Sequence, residues 1–113
     1  MLPKRNRLEK KRILVILKKG KSLFSKKLKI KYLQTQLSFS RFAFLIPLKI
    51  SKKATRRNRF KRQLREIVRL KIKEKKVKGG FDIVFIAKIL ETDYHLLEKE
   101  IDIIFKRLKI LQL

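Results

Sequence analysis

The spacing of hydrophobic positions changes several times along this chain, and each change marks a candidate element. Between Glu9 and Lys19, Ile13, Ile16 and Leu17 fall on one helical stripe, although the unbroken Ile13-Leu14-Val15-Ile16-Leu17 run would equally suit a buried strand. Lys18, Lys19 and Gly20 are what a helix C-terminus prefers, and they favour the helical reading. From Leu28 to Tyr32 the alternation is strict: Leu28, Ile30 and Tyr32 on one side, Lys29 and Lys31 on the other. This predicts a half-buried strand with one basic face. Gln34 to Ser40 reads as a polar turn, and Phe42 to Ile46 as a second strand that Pro47 ends or confines to a sheet edge. These two strands are expected to pair as a hairpin.

Beyond Lys49 the period becomes helical. At about 100° per residue, Phe60, Leu64, Ile67 and Val68 share one arc, while Asn58, Lys61, Arg62, Arg65 and Arg69 share the neighbouring one, with Arg57 near their boundary. A helix is predicted from about Ala54 to Lys76, with Lys78-Gly79-Gly80 as its stop. Phe81 to Ala87 reads as a buried strand. Thr92 or Asp93 can cap a final helix whose core face is Leu97, Ile101, Ile104 and Leu108. With 113 residues and no internal repeat or flexible linker, one domain spanning 1–113 is expected.

Charge changes the picture from a fold to a function class. Lysine and arginine number 34 against 9 aspartates and glutamates, a formal net charge of +25. Such self-repulsion opposes compaction unless a polyanion relieves it. Residues 1–78 hold 29 basic and 3 acidic side chains, whereas 79–113 hold 5 and 6, so the polyanion should meet the first two thirds. Cysteine is absent, which excludes disulfides, thiolate nucleophiles and cysteine zinc sites. The apolar run Ile13 to Leu17 is too short for a signal-peptide core. The longest apolar stretch, Phe42 to Leu48, falls far below the roughly 18 residues that span a bilayer. A soluble, cytoplasmic protein is expected.

A charged helix face is often only a solvated surface stabilised by Lys/Glu pairs. Here Glu66 and Glu74 are the only carboxylates between Lys49 and Lys78, so ion pairing cannot explain the composition. Arginine dominates the centre of the strip, and its planar fork suits bidentate phosphate contact. A self-sufficient nuclease would need clustered carboxylates to hold metal ions, or a base beside a nucleophile. Neither pattern is visible. His95 stands alone beside the last cap, and Glu91, Asp93, Glu98, Glu100 and Asp102 read as helix-start charges and a solvated face.

Within the strip, Arg57-Asn58-Arg59-Phe60-Lys61-Arg62-Gln63-Leu64-Arg65-Glu66 resembles the signature helix of the bacterial ribonuclease P protein component: Arg-Asn-Arg, one apolar residue, Lys-Arg, two residues, Arg-Glu. Lys49-Ile50-Ser51-Lys52-Lys53-Ala54 is similar to that family's lysine-rich lead-in, and Lys4-Arg5-Asn6-Arg7-Leu8 to its N-terminal basic segment. The resemblance implies an α+β sandwich of αβββαβα order, of the ribosomal protein S5 domain 2-like type. Its central mixed sheet would carry a left-handed βαβ crossover, a hand that general rules would not have predicted.

The resemblance further implies a division of labour. A catalytic RNA with bound Mg2+ would hydrolyse the 5′ leader from precursor tRNA, and the protein, binding no cofactor itself, would assist as a monomer in a one-to-one ribonucleoprotein. Carried over by position, Arg57, Asn58, Arg59, Lys61, Arg62 and Arg65 would contact the catalytic RNA, supported by Lys49, Lys52 and Lys53 and by Arg5 and Arg7 of the N-terminal segment. The leader would lie in a cleft between the first helix and the sheet, with Ile13, Leu17, Lys29, Lys31 and Tyr32 as its candidate residues. The family usually has aromatic residues where this chain has Ile13 and Leu17, so plain apolar contact would replace base stacking there. Tyr32 alternates with Leu28 and Ile30, which favours core packing, and Lys29 and Lys31 on the other face are the better leader candidates. Two other classes share the charge: a ribosomal protein, which lacks the ordered Arg-Asn-Arg signature, and a membrane-surface or nucleoid protein, which would need an exposed apolar helix face or duplex binding.

Overall fold

The computed structural model describes residues 2–74, 76–91 and 93–110. After a short turn of helix at Lys4–Asn6 come α1 (Lys10–Lys19), β1 (Lys21–Phe24), β2 (Leu28–Gln34), β3 (Arg41–Leu45), α2 (Ala54–Lys73), β4 (Phe81–Ala87) and α3 (Tyr94–Leu108). The four strands form one mixed sheet in the order β1-β2-β4-β3. The β1/β2 and β2/β4 pairs are antiparallel, and β3/β4 is parallel. The parallel pair is joined through α2, so β3-α2-β4 is a βαβ unit in an α+β fold.

Residues facing each other in the ladder share a side of the sheet, which separates two cores. On one side, Leu28, Ile30, Phe42, Phe44, Ile83 and Phe85 pack with Phe60, Leu64, Ile67 and Val68 of α2 and Leu97, Ile101, Ile104 and Phe105 of α3. The Phe44 and Phe85 rings stack 5.3 Å apart, with Phe105 6.1 Å from Phe85. On the other side, Ile16 of α1 packs with Leu8, Ala43 and Val84, flanked by Ile13, Leu17, Leu33, Leu45 and Ile86. The apolar run of α1 is thus a helix with one buried stripe, leaving Leu14 and Val15 exposed. The apolar arc of α2 is entirely buried. At about 1.5–3 kcal/mol per fully buried side chain, this burial fixes the roll of α2 and with it the direction in which the basic arc points.

Four expectations need correction. β2 and β3 do not form a hairpin, because β4 lies between them. β4 is buried on both faces and takes ladder partners on both edges, satisfying backbone groups that water cannot reach. The β2–β3 connection crosses over the start of β4: Thr35 N–H donates to Gly80 O at 2.8 Å, and a Cβ on Gly79 would lie 2.1 Å from Ser38 O. Gly80 itself has φ +94°. The two glycines therefore permit this crossing as well as ending the helical pattern. Second, α2 stops at Lys73 rather than Lys76, and the chain leaves it so that Lys78 N–H reaches Ile110 O at 2.7 Å. Third, Glu100 is not solvated: it is 8% exposed and accepts from Lys27 N–H at 2.7 Å, tying α3 to the β1–β2 turn. Fourth, Phe105 is fully buried while Leu108 is only partly so. Asp93 does cap α3, accepting from His95 and Leu96 N–H at 2.9 and 3.2 Å; Thr92 lies outside the described residues. No helix among the described residues is long and apolar enough to cross a membrane.

Candidate nucleic-acid interface

The N-terminal half of α2 is built against the usual preferences of a helix. Its first turn contains no acid, no side chain caps its free N–H groups, and Lys52, Lys53, Arg56 and Arg57 add positive charge to the positive end of the dipole. The arrangement is costly alone and favourable once an anion sits there. Arg57 Nη1 donates to Ser51 O at 2.7 Å, fastening the lysine-rich loop to the helix and leaving the rest of the guanidinium fork available. Lys49, Lys52, Lys53, Asn58, Arg59 and Arg62 are all exposed around this end.

Lys61 and Arg65 stand one turn apart and half-buried. With Arg7, Leu8, Ile13 and Leu45 among its walls, they line a cleft of about 320 Å³ at the β3 edge of the sheet. Arg7 reaches it because the N-terminal segment bridges to β3: Leu8 N–H donates to Phe42 O at 3.0 Å, and Arg7 Nε holds Leu2 O at 2.9 Å. Partial burial, and then the neighbouring Arg65, lower the pKa of the Lys61 ammonium. A cation held below its ordinary value by desolvation and like charge is one that an arriving phosphate would stabilise.

Carboxylates are elsewhere. Glu66 takes a two-pronged bond from Arg69 at 2.6 and 3.0 Å, which holds its carboxyl below the usual range. Lys71 pairs with Asp102 and Lys76 with Glu74. Among the described residues, Arg57, Lys61, Arg62 and Arg65 have no carboxylate partner, whereas Arg69, on the same arc, is committed. Helical period alone puts Arg69 and Arg65 on one arc; the ion pair to Glu66 sets Arg69 apart.

Not every candidate converges. Arg5 lies on another flank, its guanidinium 5.2 Å from the Phe39 ring in a hollow shared with Ile72 and Val77, away from Arg7, Lys61 and Arg65. Ile13, Leu17, Lys29 and Lys31 do share the α1 side of the sheet. Tyr32 does not. It packs into the opposite core with its ring 6.4 Å from Phe81, and its place among the cleft residues is corrected: one residue past Lys31, the pleat turns it to the α2 side.

Sequence reasoning missed Asp82, which has no exposure at all. Its carboxylate receives Arg12 Nε at 2.8 Å and Arg41 Nε and Nη2 at 2.8 and 2.6 Å. This clamp fastens α1 to the sheet and so sets the cleft wall, and the bonded carboxylate raises the Arg41 pKa. A lone acid inside an apolar strand was its signal, since a buried carboxylate needs cations. Among the described residues no three His, Cys, Asp or Glu side chains come together as a metal site, and His95 is exposed, with its ring edge-on to Tyr94.

Comparison with known proteins fits this geometry. A family model for Ribonuclease P matches residues 2–109. The ribonuclease P protein component of Clostridioides difficile is 41% identical over 78 residues, covering 69% of this chain and 67% of that protein. That of Fusobacterium nucleatum is 37% identical over 84 residues, covering 69% and 73%. Among solved structures, the RNase P protein from Thermotoga maritima superposes with a TM-score of 0.76 at 30% identity, over 89% of this chain and 96% of that one. An unpaired arginine helix beside a basic cleft, on the same fold and with a family match over nearly its whole length, leaves one assignment: this chain belongs to the ribonuclease P protein family.

Proposed function

We propose that this chain is the RNA-binding subunit of a ribonucleoprotein endonuclease that removes 5′ leaders from precursor tRNA, with phosphodiester hydrolysis carried out by the RNA subunit and its bound Mg2+. Catalytic RNA lies against the N-terminal half of α2, where Arg57, Asn58, Arg59, Lys61, Arg62 and Arg65 meet phosphates and Lys49, Lys52, Lys53 and Arg7 extend the contact. Arg5, on another flank, adds at most a peripheral contact. The 5′ leader lies on the α1 side of the sheet, along Ile13, Leu17, Lys29 and Lys31. The protein takes part as a single copy per RNA.

The observation that carries this reading is the set of cations in the N-terminal half of α2, Arg57, Lys61, Arg62 and Arg65, that have no carboxylate partner among the described residues. Counterion release makes such a surface bind a folded polyanion strongly at low salt. Among the described residues no His, Cys, Asp and Glu side chains cluster to hold a metal ion, which supports a positional contribution: the protein holds substrate and RNA together and lowers the Mg2+ the RNA needs. Family membership removes the support for a ribosomal role.

The deciding experiment is cleavage of precursor tRNA by a bacterial ribonuclease P RNA at low Mg2+ and near-physiological salt, with and without the protein. Cleavage at the mature 5′ end only when the protein is present is the expected result. No stimulation, with the protein folded and the RNA active at high Mg2+, would refute the proposal.

A further inference from the structure

Two phenylalanine rings take no part in either core: Phe39, which lies under the Arg5 guanidinium, and Phe24. Phe24 ends β1 with 54% of its surface exposed, the one exposed phenylalanine among the described residues. Lys29 Nζ lies 5.2 Å and Lys88 Nζ 5.9 Å from its ring centroid. The surrounding turn is pinned: Arg107 Nη1 donates to Phe24 O at 2.8 Å, Lys88 Nζ to Ser25 O at 3.0 Å, and Ser25 N–H to Leu28 O at 2.8 Å. The nearby carboxylates are turned to Lys27 instead, Glu91 by an ion pair and Glu100 by the backbone bond. An exposed ring on an edge strand is a liability for association, and cation–π contacts with two solvent-exposed ammonium groups offset it by only about 0.5–1 kcal/mol each.

Register places this ring on a track. Phe24 faces Lys29, Lys29 faces Ile86 and Ile86 faces Leu45, so these four form one row across the α1 side of the sheet. With strands about 4.8 Å apart, the row spans about 14 Å. Leu45 at one end lines the cleft with Ile13, Lys61 and Arg65, and Phe24 stands at the other end. Lys31 follows in the next row of the same face. Phosphate-binding cations running up to an open aromatic ring are the components of a single-strand binding surface, where ring faces stack on bases without regard to sequence. Ile13 and Leu17 offer no ring plane on this side.

We propose that Phe24 is a nucleobase-stacking residue for single-stranded RNA, taking a base of the 5′ leader at the outer end of the track marked by Lys29 and Lys31. This rests on the reading of the α1 side as the leader site. The stacked base would use the open part of the ring, while Lys29 and Lys88 move to the adjoining phosphates.

The test uses the reconstituted RNA–protein enzyme and precursor tRNAs whose leaders carry 2-aminopurine at successive positions, long enough to cross the sheet. One position should be quenched by the wild type, released by Phe24→Ala and Phe24→Leu, and kept by Phe24→Trp. Affinity for precursor tRNA should fall about fivefold or more in Phe24→Ala, with mature tRNA binding unchanged. Wild-type quenching and affinity in Phe24→Ala, or a Phe24→Leu variant that behaves as wild type, would overturn the stacking role. Lys29→Ala with Lys31→Ala separates the two levels. If that pair weakens precursor binding while Phe24→Ala does not, stacking alone fails; if neither matters, the leader face itself is wrong.

Discussion

Replacing Arg57, Arg62 and Arg65 together with alanine should flatten the salt dependence of binding to ribonuclease P RNA by a calculable amount. None of the three has a carboxylate partner among the described residues, so each is free to neutralise one phosphate. Each lost contact lowers the slope of log affinity against log salt by about 0.9 on duplex and about 0.7 on single strands, giving about 2.1–2.7 for the three. Between 50 and 200 mM salt, the wild type should therefore lose about 20- to 40-fold more affinity than the triple variant. Arg69→Ala is the internal control. Its guanidinium is bound to Glu66 at 2.6 and 3.0 Å, so its removal frees an acid as it deletes a base and should cost far less than a third of the triple effect. Filter binding or fluorescence anisotropy across a salt series supplies the slopes, and circular dichroism checks the fold. An unchanged slope in a folded triple variant would refute the reasoning, and so would Arg69→Ala matching any one of the three.

Three further outcomes follow from the same structure. Asp82→Ala leaves Arg12 and Arg41, whose side chains are 34% and 26% exposed, without their shared partner. Breaking a buried pair costs about 3–5 kcal/mol, which partial hydration of the arginines reduces to about 2–3, so urea melts should show a loss of that size while the surface variant Asp102→Asn loses under about 1 kcal/mol. Gly79→Ala sets a Cβ 2.1 Å from Ser38 O, 2.3 Å from Ser38 C and 2.7 Å from Phe39 N and should destabilise by more than about 2 kcal/mol, whereas Gly20→Ala, whose Cβ meets one atom below 3 Å, Ile16 O at 2.5 Å, gives the milder comparison; equal melting temperatures would contradict the crossing of the β2–β3 connection over β4. For pH, the Lys61 pKa is lowered in the free protein, by desolvation and then by Arg65, and a phosphate beside it raises it, so binding takes up a proton at pH values between the free and bound pKa. RNA affinity should consequently fall as pH climbs through this window, and Lys61→Arg should flatten the fall; identical profiles for the two proteins would dismiss Lys61 as a phosphate contact.

Periodicity reveals which way a residue faces, and that much of this fold was legible. The arc Phe60, Leu64, Ile67 and Val68 is fully buried, and the alternation of β2 correctly separates Tyr32 from Lys29 and Lys31. Tyr32 entered the cleft through resemblance, against its own parity. Neighbourhood is a different quantity. Nothing in a two-residue period says that β4 inserts between β2 and β3, since that depends on a strand buried on both faces and on two glycines letting a connection pass over it. β1 is short and almost wholly exposed, so it carries no alternation, and nothing in its pattern singles out Phe24.

Charge counting points to a polyanion but not to the cations that would meet it. The acids decide that. Asp82 fastens α1 to the sheet, Glu91 and Glu100 hold the β1–β2 turn, Asp102 ties α3 to Lys71 of α2, and Glu66 occupies Arg69. Partners of four of these lie 31 to 73 residues away in the chain, a distance at which sequence spacing carries no signal. Because these carboxylates serve as fasteners within the scaffold, the N-terminal half of α2 keeps cations without a carboxylate partner among the described residues. The same bonds that hold α1 and α2 in place therefore decide which cations stay open to a partner.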